Sequence, residues 1–254
     1  MNMTLGQETA PTFNYTIQDH IFSARHYVGG DKARILMYPD WEGCHTHWAQ
    51  KISADYAKTC QAEVILTDHY GKDNVKLSFD DAYQLNQALL TDPPTARPIF
   101  KKIVQAIEPV WKSSGPTIVV GFCSGGSFAL ETGRSGADVD AVFCVHGNPQ
   151  TPDPLEPKLA PTGTANQSKM PIFSTVSGAD DPLITPQQHL EFEKEMRNAD
   201  VHWSLHYISG AKHSFTRFDA HSSSRAVGYS HRADVETRYL INAQINALRK
   251  MKET

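Results

Sequence analysis

The chain has 254 residues, of which 40% are hydrophobic and 20% charged, and its formal net charge is -4. A chain of that length can bury a large core without covalent staples. Its acidic balance offers no basic field for nucleic acid, and no apolar run reaches the roughly 18 residues of a membrane span. The N-terminal stretch Met1–Pro11 is polar and lacks the apolar centre of a secretory signal. Cys44, Cys60, Cys123 and Cys144 are widely spaced and form no CxxC pair. That spacing argues against a disulfide framework and a zinc cage, so neither a metal nor a cofactor is expected, and a reducing cytoplasm fits.

In chain order, residues around Phe13–Ile17 and Ile21–Tyr27 read as an antiparallel hairpin within an N-terminal edge segment, 1–30. Short β-prone apolar runs follow at Arg34–Tyr38, Glu63–Thr67, Thr117–Val120, Asp140–Val145, Ile172–Val176 and Trp203–Ile208. Between them lie segments with helical spacing: His47–Cys60, Phe79–Leu90, Ile99–Trp111, Pro186–Arg197 and Arg232–Lys250. The stripe Ile99, Phe100, Ile103, Val104, Ile107 and Val110 carries the third of these. The polar stretch 148–170, rich in Pro, Thr and Asn, reads as one long loop. Strand–helix alternation along the whole chain predicts one α/β domain over 1–254, a mostly parallel sheet with helices on both faces.

The run Thr117–Val120 leads directly into Gly121-Phe122-Cys123-Ser124-Gly125-Gly126, then into Ser127-Phe128-Ala129-Leu130. Strand, tight turn and helix in that order, with glycines two residues either side of Cys123, match the spacing of a nucleophile elbow with Cys in the place of Ser. The glycines suit a turn where strand and helix approach too closely for a Cβ. The helix beginning after Cys123 aims its positive end at the sulfur and favours the thiolate. The Ser124 N–H would then face the oxyanion of an attacked carbonyl. A buried cysteine beside a glycine turn is the bland alternative.

A thiol nucleophile needs a base and an orienting acid, which in this architecture follow in the order acid, histidine. Ser177-Gly178-Ala179-Asp180-Asp181-Pro182 follows the run Ile172–Val176, and Ser209-Gly210-Ala211-Lys212-His213-Ser214-Phe215 follows Trp203–Ile208. Both lie just beyond the C-terminal end of a strand, where open α/β sheets place their sites. His213 is the expected base; Asp180 and Asp181 compete for the acid role, with Asp181 favoured, and either may instead be a turn residue. His45 and His47 lack the surroundings of a metal site, Cys144 reads as core, and His146 reads as a pocket-lining or sheet-capping residue. The polar cluster His221–Ser224 reads as a loop bordering the site.

Gly-Phe-Cys-Ser-Gly-Gly at 121–126, Gly-Ala-Asp-Asp at 178–181 and Gly-Ala-Lys-His-Ser-Phe at 210–215 together resemble the dienelactone hydrolase family of α/β-hydrolases, over roughly Arg34 to Lys250. The resemblance implies an α/β-hydrolase fold and a triad of Cys123, His213 and Asp181, selecting Asp181 over Asp180. It implies cleavage of a small ester or lactone without a cofactor. In the segment Leu36–Gly43 it implies that Asp40 contacts the resting thiol, where the family usually has Glu, with Glu42 as a nearby substitute. The Trp41 N–H would complete the oxyanion hole beside Ser124. It also matches Arg217, four residues after His213, to an arginine that binds a substrate carboxylate, so the substrate is expected to be anionic if Arg217 faces the pocket. Arg97 lies where the family carries a second such arginine, but its surroundings do not match and no role is transferred. Two rival readings remain at this level: a non-catalytic binding module on a hydrolase scaffold, and a thiol-dependent acyltransferase.

Overall fold

A computed structural model describes residues 10–17, 19–71, 77–157, 170–220 and 225–253. Eight strands form one sheet: β1 (Thr12–Ile17), β2 (His20–Val28), β3 (Arg34–Tyr38), β4 (Glu63–Thr67), β5 (Thr117–Phe122), β6 (Ala141–Val145), β7 (Ile172–Gly178) and β8 (Trp203–Ile208), in spatial order β1-β2-β4-β3-β5-β6-β7-β8. β1 and β2 form the expected antiparallel hairpin, β2 pairs antiparallel with β4, and the six strands from β3 to β8 run parallel. The helices are α1 (His47–Cys60), α2 (Phe79–Thr91), α3 (Pro93–Ile107), α4 (Ser124–Arg134), α5 (Pro186–Asn198) and α6 (His231–Glu253). No helix among the described residues is long and apolar enough to cross a membrane. This is the mostly parallel sheet flanked by helices that the strand–helix alternation predicts, and the arrangement the family resemblance implies.

The sheet is buried on both faces, which explains why its central strands are apolar runs rather than alternating ones. Side chains still alternate in direction along each strand. Ile35 and Met37 of β3, Val64 and Leu66 of β4, and Ile118 and Val120 of β5 face a core completed by Trp48, Ile52 and Tyr56 of α1 and by Ile241, Ile245 and Leu248 of α6. Leu36, Ile65 and Val119 point the other way, onto Phe100 and Ile103 of α3, Phe128 of α4, and Phe192 and Met196 of α5.

Local chemistry sets the helix starts. Thr46 Oγ1 accepts the Ala49 N–H ahead of α1. Thr185 and Gln188 form a reciprocal capping box ahead of α5, with Pro186 at the first helical position, where its missing N–H costs nothing. The third helix starts at Pro93, earlier than the apolar stripe from Ile99 suggests, because Asp92 caps it and two prolines fit its first turn. It ends at Ile107 and tightens into a 3-10 turn over Glu108–Val110.

A buried ion-pair network locks the helices on the α3–α4–α5 side. Arg134 of α4 donates from Nη1 to Glu131 Oε1 at 2.8 Å, and from Nη2 and Nε to the two oxygens of Glu195 of α5 at 2.7 and 2.9 Å. Its Nη2 also donates to Pro149 O at 2.8 Å. Arg97 of α3 joins Glu131 to Asp153 at 2.8 and 2.7 Å, and the Leu155 N–H donates to Glu195 at 3.0 Å. The described part of the 148–170 loop, up to Pro157, is thus fastened to three helices; residues 158–169 lie outside the described residues. Removing one partner of such a network leaves the others buried and unpaired. Arg134→Met is therefore expected to lose about 3–5 kcal/mol of stability, measured by denaturant unfolding. The triple variant that also carries Glu131→Gln and Glu195→Gln should recover part of the loss.

Candidate active site

Cys123 stands between the end of β5 and the first turn of α4, with φ 54° and ψ -121°. A non-glycine residue in that region is strained, at a cost of about 1–3 kcal/mol. The surrounding backbone holds it there. A Cβ on Gly121 would lie 1.8 Å from Gly125 O, and one on Gly125 would lie 2.1 Å from Pro39 O. The missing side chains let the start of α4 sit directly on the end of β3. The N-cap residue Cys123 makes no side-chain capping bond, and the positive end of the α4 dipole begins beside its partly exposed sulfur.

His213 and Asp181 reach Cys123 from two adjacent loops. Asp181 follows β7 and His213 follows β8. The two loops touch where Gly178 meets Ala211, since a Cβ there would lie 2.3 Å from Ala211 O. The Asp180 N–H donates to Ala211 O at 3.0 Å, which ties the loops together. His213 Nδ1 lies 2.8 Å from Asp181 Oδ2, and His213 Nε2 lies 3.2 Å from Cys123 Sγ. The other oxygen of Asp181 accepts the Leu183 N–H at 2.8 Å. Asp181 is buried and Asp180 is exposed. Burial pulls the His213 pKa down, but its bonds to Asp181 and Cys123 outweigh it and raise the value to about 10, so the ring is well placed to accept and hold a proton.

The sequence reads His146, at the end of β6, as a pocket-lining or sheet-capping residue. It is fully buried, with φ 42°. Its Nδ1 accepts the Cys123 N–H at 3.2 Å, so the ring proton sits on Nε2 and donates to Thr216 Oγ1 at 2.9 Å. Burial, and then the neighbouring His213, hold its pKa well below the usual histidine range. The ring also stands edge-on to His213, with centroids 5.4 Å apart. His146 is thus a neutral strut between the elbow and the segment that follows the base. Thr216 is held in turn by Trp48, whose Nε1 donates to Thr216 O at 3.0 Å.

The residues expected to contact the thiol and the substrate are arranged differently. Asp40 Oδ2 accepts from Arg217 Nη1 at 2.8 Å, and Asp40 Oδ1 accepts the Glu42 N–H at 3.1 Å. Its carboxylate is therefore engaged by Arg217 and the Glu42 amide, while Cys123 Sγ is met by His213. Burial raises the Asp40 pKa to about 6 despite Arg217. Arg217 does not stand free. The same Nη1 donates to Glu42 Oε2, and Nε and Nη2 meet the two oxygens of Asp219 at 3.0 and 3.1 Å. Its guanidinium also lies 5.4 Å from the centre of the Trp48 ring. Taking it from buried Asp40 would cost about 3–5 kcal/mol, against about 1.5–3 for a new charge-assisted contact.

Trp41 sits in the turn after β3, and its carbonyl accepts from Tyr70 Oη at 2.9 Å. Asn86 Nδ2 donates to the same Tyr70 hydroxyl at 2.9 Å. Neither Tyr70 nor Asn86 carries a motif that marks it in the sequence. No cluster of metal-binding side chains occurs among the described residues. The loop 221–224, expected to border the site, lies outside the described residues.

Comparison with known proteins gives the family and the fold. The model of the dienelactone hydrolase family matches residues 24–251. A Bradyrhizobium protein named as a probable 2-oxo-3-(5-oxofuran-2-ylidene)propanoate lactonase is 25% identical over 199 residues, covering 76% of this chain and 77% of that protein. Among solved structures, a dienelactone hydrolase-like promiscuous phosphotriesterase from metagenomic libraries superposes with a TM-score of 0.73 at 21% identity, covering 94% of this chain and 98% of the other. A carboxylesterase from Lactobacillus plantarum superposes with a TM-score of 0.58 at 13% identity, covering 93% and 98%. At these identities the solved structures show a shared fold.

The contrast between the two aspartates yields a test. Asp181→Asn should lower kcat by about a thousandfold or more, as loss of the orienting charge does in comparable triads, whereas Asp180→Asn should leave it nearly unchanged. The same exchange at Asp181 removes a cause that raises the His213 pKa, so less imidazolium forms. The pH midpoint for alkylation of Cys123 by iodoacetamide should therefore move upward in Asp181→Asn alone.

Proposed function

This chain belongs to the dienelactone hydrolase family, and on that premise we propose that it cleaves esters or lactones through a Cys123–His213–Asp181 triad and a thioester intermediate. The observation that carries the reading is the unbroken chain of contacts from Asp181 through His213 to Cys123, at 2.8 and 3.2 Å, at the C-terminal edge of the sheet.

His213 Nε2 takes the thiol proton, and Asp181 stabilises the imidazolium. The sulfur attacks the carbonyl carbon, a C–S bond forms, and the carbonyl electrons move onto oxygen. The Ser124 and Trp41 amides receive that oxyanion. Collapse re-forms the carbonyl and breaks the bond to the leaving alkoxide, which takes the proton from His213. In a lactone the alkoxide stays on the acyl chain, so the product is ring-opened. His213 then removes a proton from water, the hydroxide attacks the thioester, and the C–S bond breaks to return the thiol and release the acid. In this scheme Arg217 holds the Asp40–Glu42 turn, and with it the Trp41 amide. A cytoplasmic setting suits the mechanism, because the nucleophile must stay reduced and all four cysteines are free thiols.

Mixing the protein with excess p-nitrophenyl acetate should give a burst of p-nitrophenol and an acetylated Cys123 detectable by peptide mass spectrometry. Cys123→Ala should give neither. Turnover that persists in Cys123→Ala would overturn the proposed nucleophile.

A further inference from the structure

Around the Trp41 turn and the segment after His213, the ion-paired cluster carries more negative than positive charge. Three carboxylates, Asp40, Glu42 and Asp219, surround the single guanidinium of Arg217. Asp40 is deeply buried and depends on that pair, so its partner is not readily surrendered to an incoming anion. Arg97, in the network on the α3–α4–α5 side, is likewise held by Glu131 and Asp153. A substrate carboxylate entering here would meet excess like charge and would have to displace an internal carboxylate to gain its ion pair.

Beside this acidic collar lies an aromatic wall. The Trp41 ring packs edge-on against Phe79 of α2, with centroids 5.0 Å apart, and Phe79 stacks on Tyr83 at 6.1 Å. Phe79 is 60% exposed and Tyr83 49% exposed. Core packing does not account for faces that open, and they stand next to the residue whose amide would hold the oxyanion. An aromatic face of this kind takes a flat apolar group.

Resting on the ester-hydrolase reading, we propose that this site selects uncharged esters or lactones bearing a flat apolar group over their carboxylate-bearing counterparts. Arg217 then serves as an internal counter-ion that positions the Trp41 turn, and the acidic excess screens out anions.

Methyl 3-acetoxybenzoate and 3-acetoxybenzoate test the charge selection, because they share the scissile acetyl–aryl bond and differ by one charge remote from it. At low ionic strength kcat/KM should favour the neutral ester by about tenfold or more, mostly through KM. Salt near 0.5 M should narrow the gap, since the Debye length then falls to about 4 Å, and Glu42→Gln should narrow it too. Phe79→Ala should raise KM for the neutral aryl ester by about two- to tenfold, and less for ethyl acetate. Equal or better use of the anion, with a selective loss for the anion in Arg217→Ala, would overturn the proposal. So would a KM unchanged by Phe79→Ala, for the aromatic half. Calorimetric binding of the same pair to Cys123→Ala reads the charge preference without turnover. Absent hydrolysis with the neutral ester still bound more tightly would fail the hydrolase reading alone, and tighter binding of the anion would fail this one.

Discussion

The catalytic end of the molecule depends on one close approach between backbones, at the point where the start of α4 rests on the end of β3. Gly125 permits it, because a Cβ there would lie 2.1 Å from Pro39 O, and Gly121 lets α4 close equally tightly on β5, where a Cβ would lie 1.8 Å from Gly125 O. The contact forces Cys123 into its strained conformation, aims α4 at the sulfur, and brings the turn containing Trp41 beside the elbow. Gly147 completes the same fit from the far side, where a Cβ would lie 2.4 Å from Cys123 O. The strain is bearable because β5 and α4 are buried elements whose positions are set by the two cores.

Around that point the parallel sheet acts as a collector. Strands β3, β5, β6, β7 and β8 end on the same side, and each contributes to the site just past its end: Asp40 and Trp41, Cys123, His146, Asp181 and His213. Residues far apart in the chain become neighbours because their strands are parallel and adjacent in register. The struts between loops are specific polar contacts. Asp180 reaches Ala211 with its amide, and His146 joins the elbow to Thr216. A neutral His146 suits this place, since a second imidazolium 5.4 Å from His213 would oppose charging of the base.

Charge is handled differently on the two sides of the sheet. Behind α4, Arg134 is matched closely by Glu131 and Glu195, and the network fastens the long loop after β6. Beside the Trp41 turn, Arg217 is outnumbered by its carboxylate partners, and one of them, Asp40, has its pKa raised to about 6, first by burial. The first arrangement is structural. The second leaves a net negative field beside the Trp41 turn.

The sequence by itself determined the alternation of strands and helices and the antiparallel edge, and it singled out Cys123, Asp181 and His213, which the fold brings together. Those signals are local: an apolar run, a glycine pair around a nucleophile, an acid or histidine just beyond a strand. Only the tertiary structure decided which way each side chain turned and what it met there. Asp40 and Arg217 look like independent ligands, one for the thiol and one for a substrate, yet they meet each other across 177 residues. His146 has no motif, and its role follows from a left-handed backbone that brings Nδ1 to the Cys123 amide. The start of α3 at Pro93 was hidden because caps and prolines, rather than apolar spacing, set it. Local periodicity encodes burial, whereas pairing between loops depends on distances that exist only once the sheet has assembled.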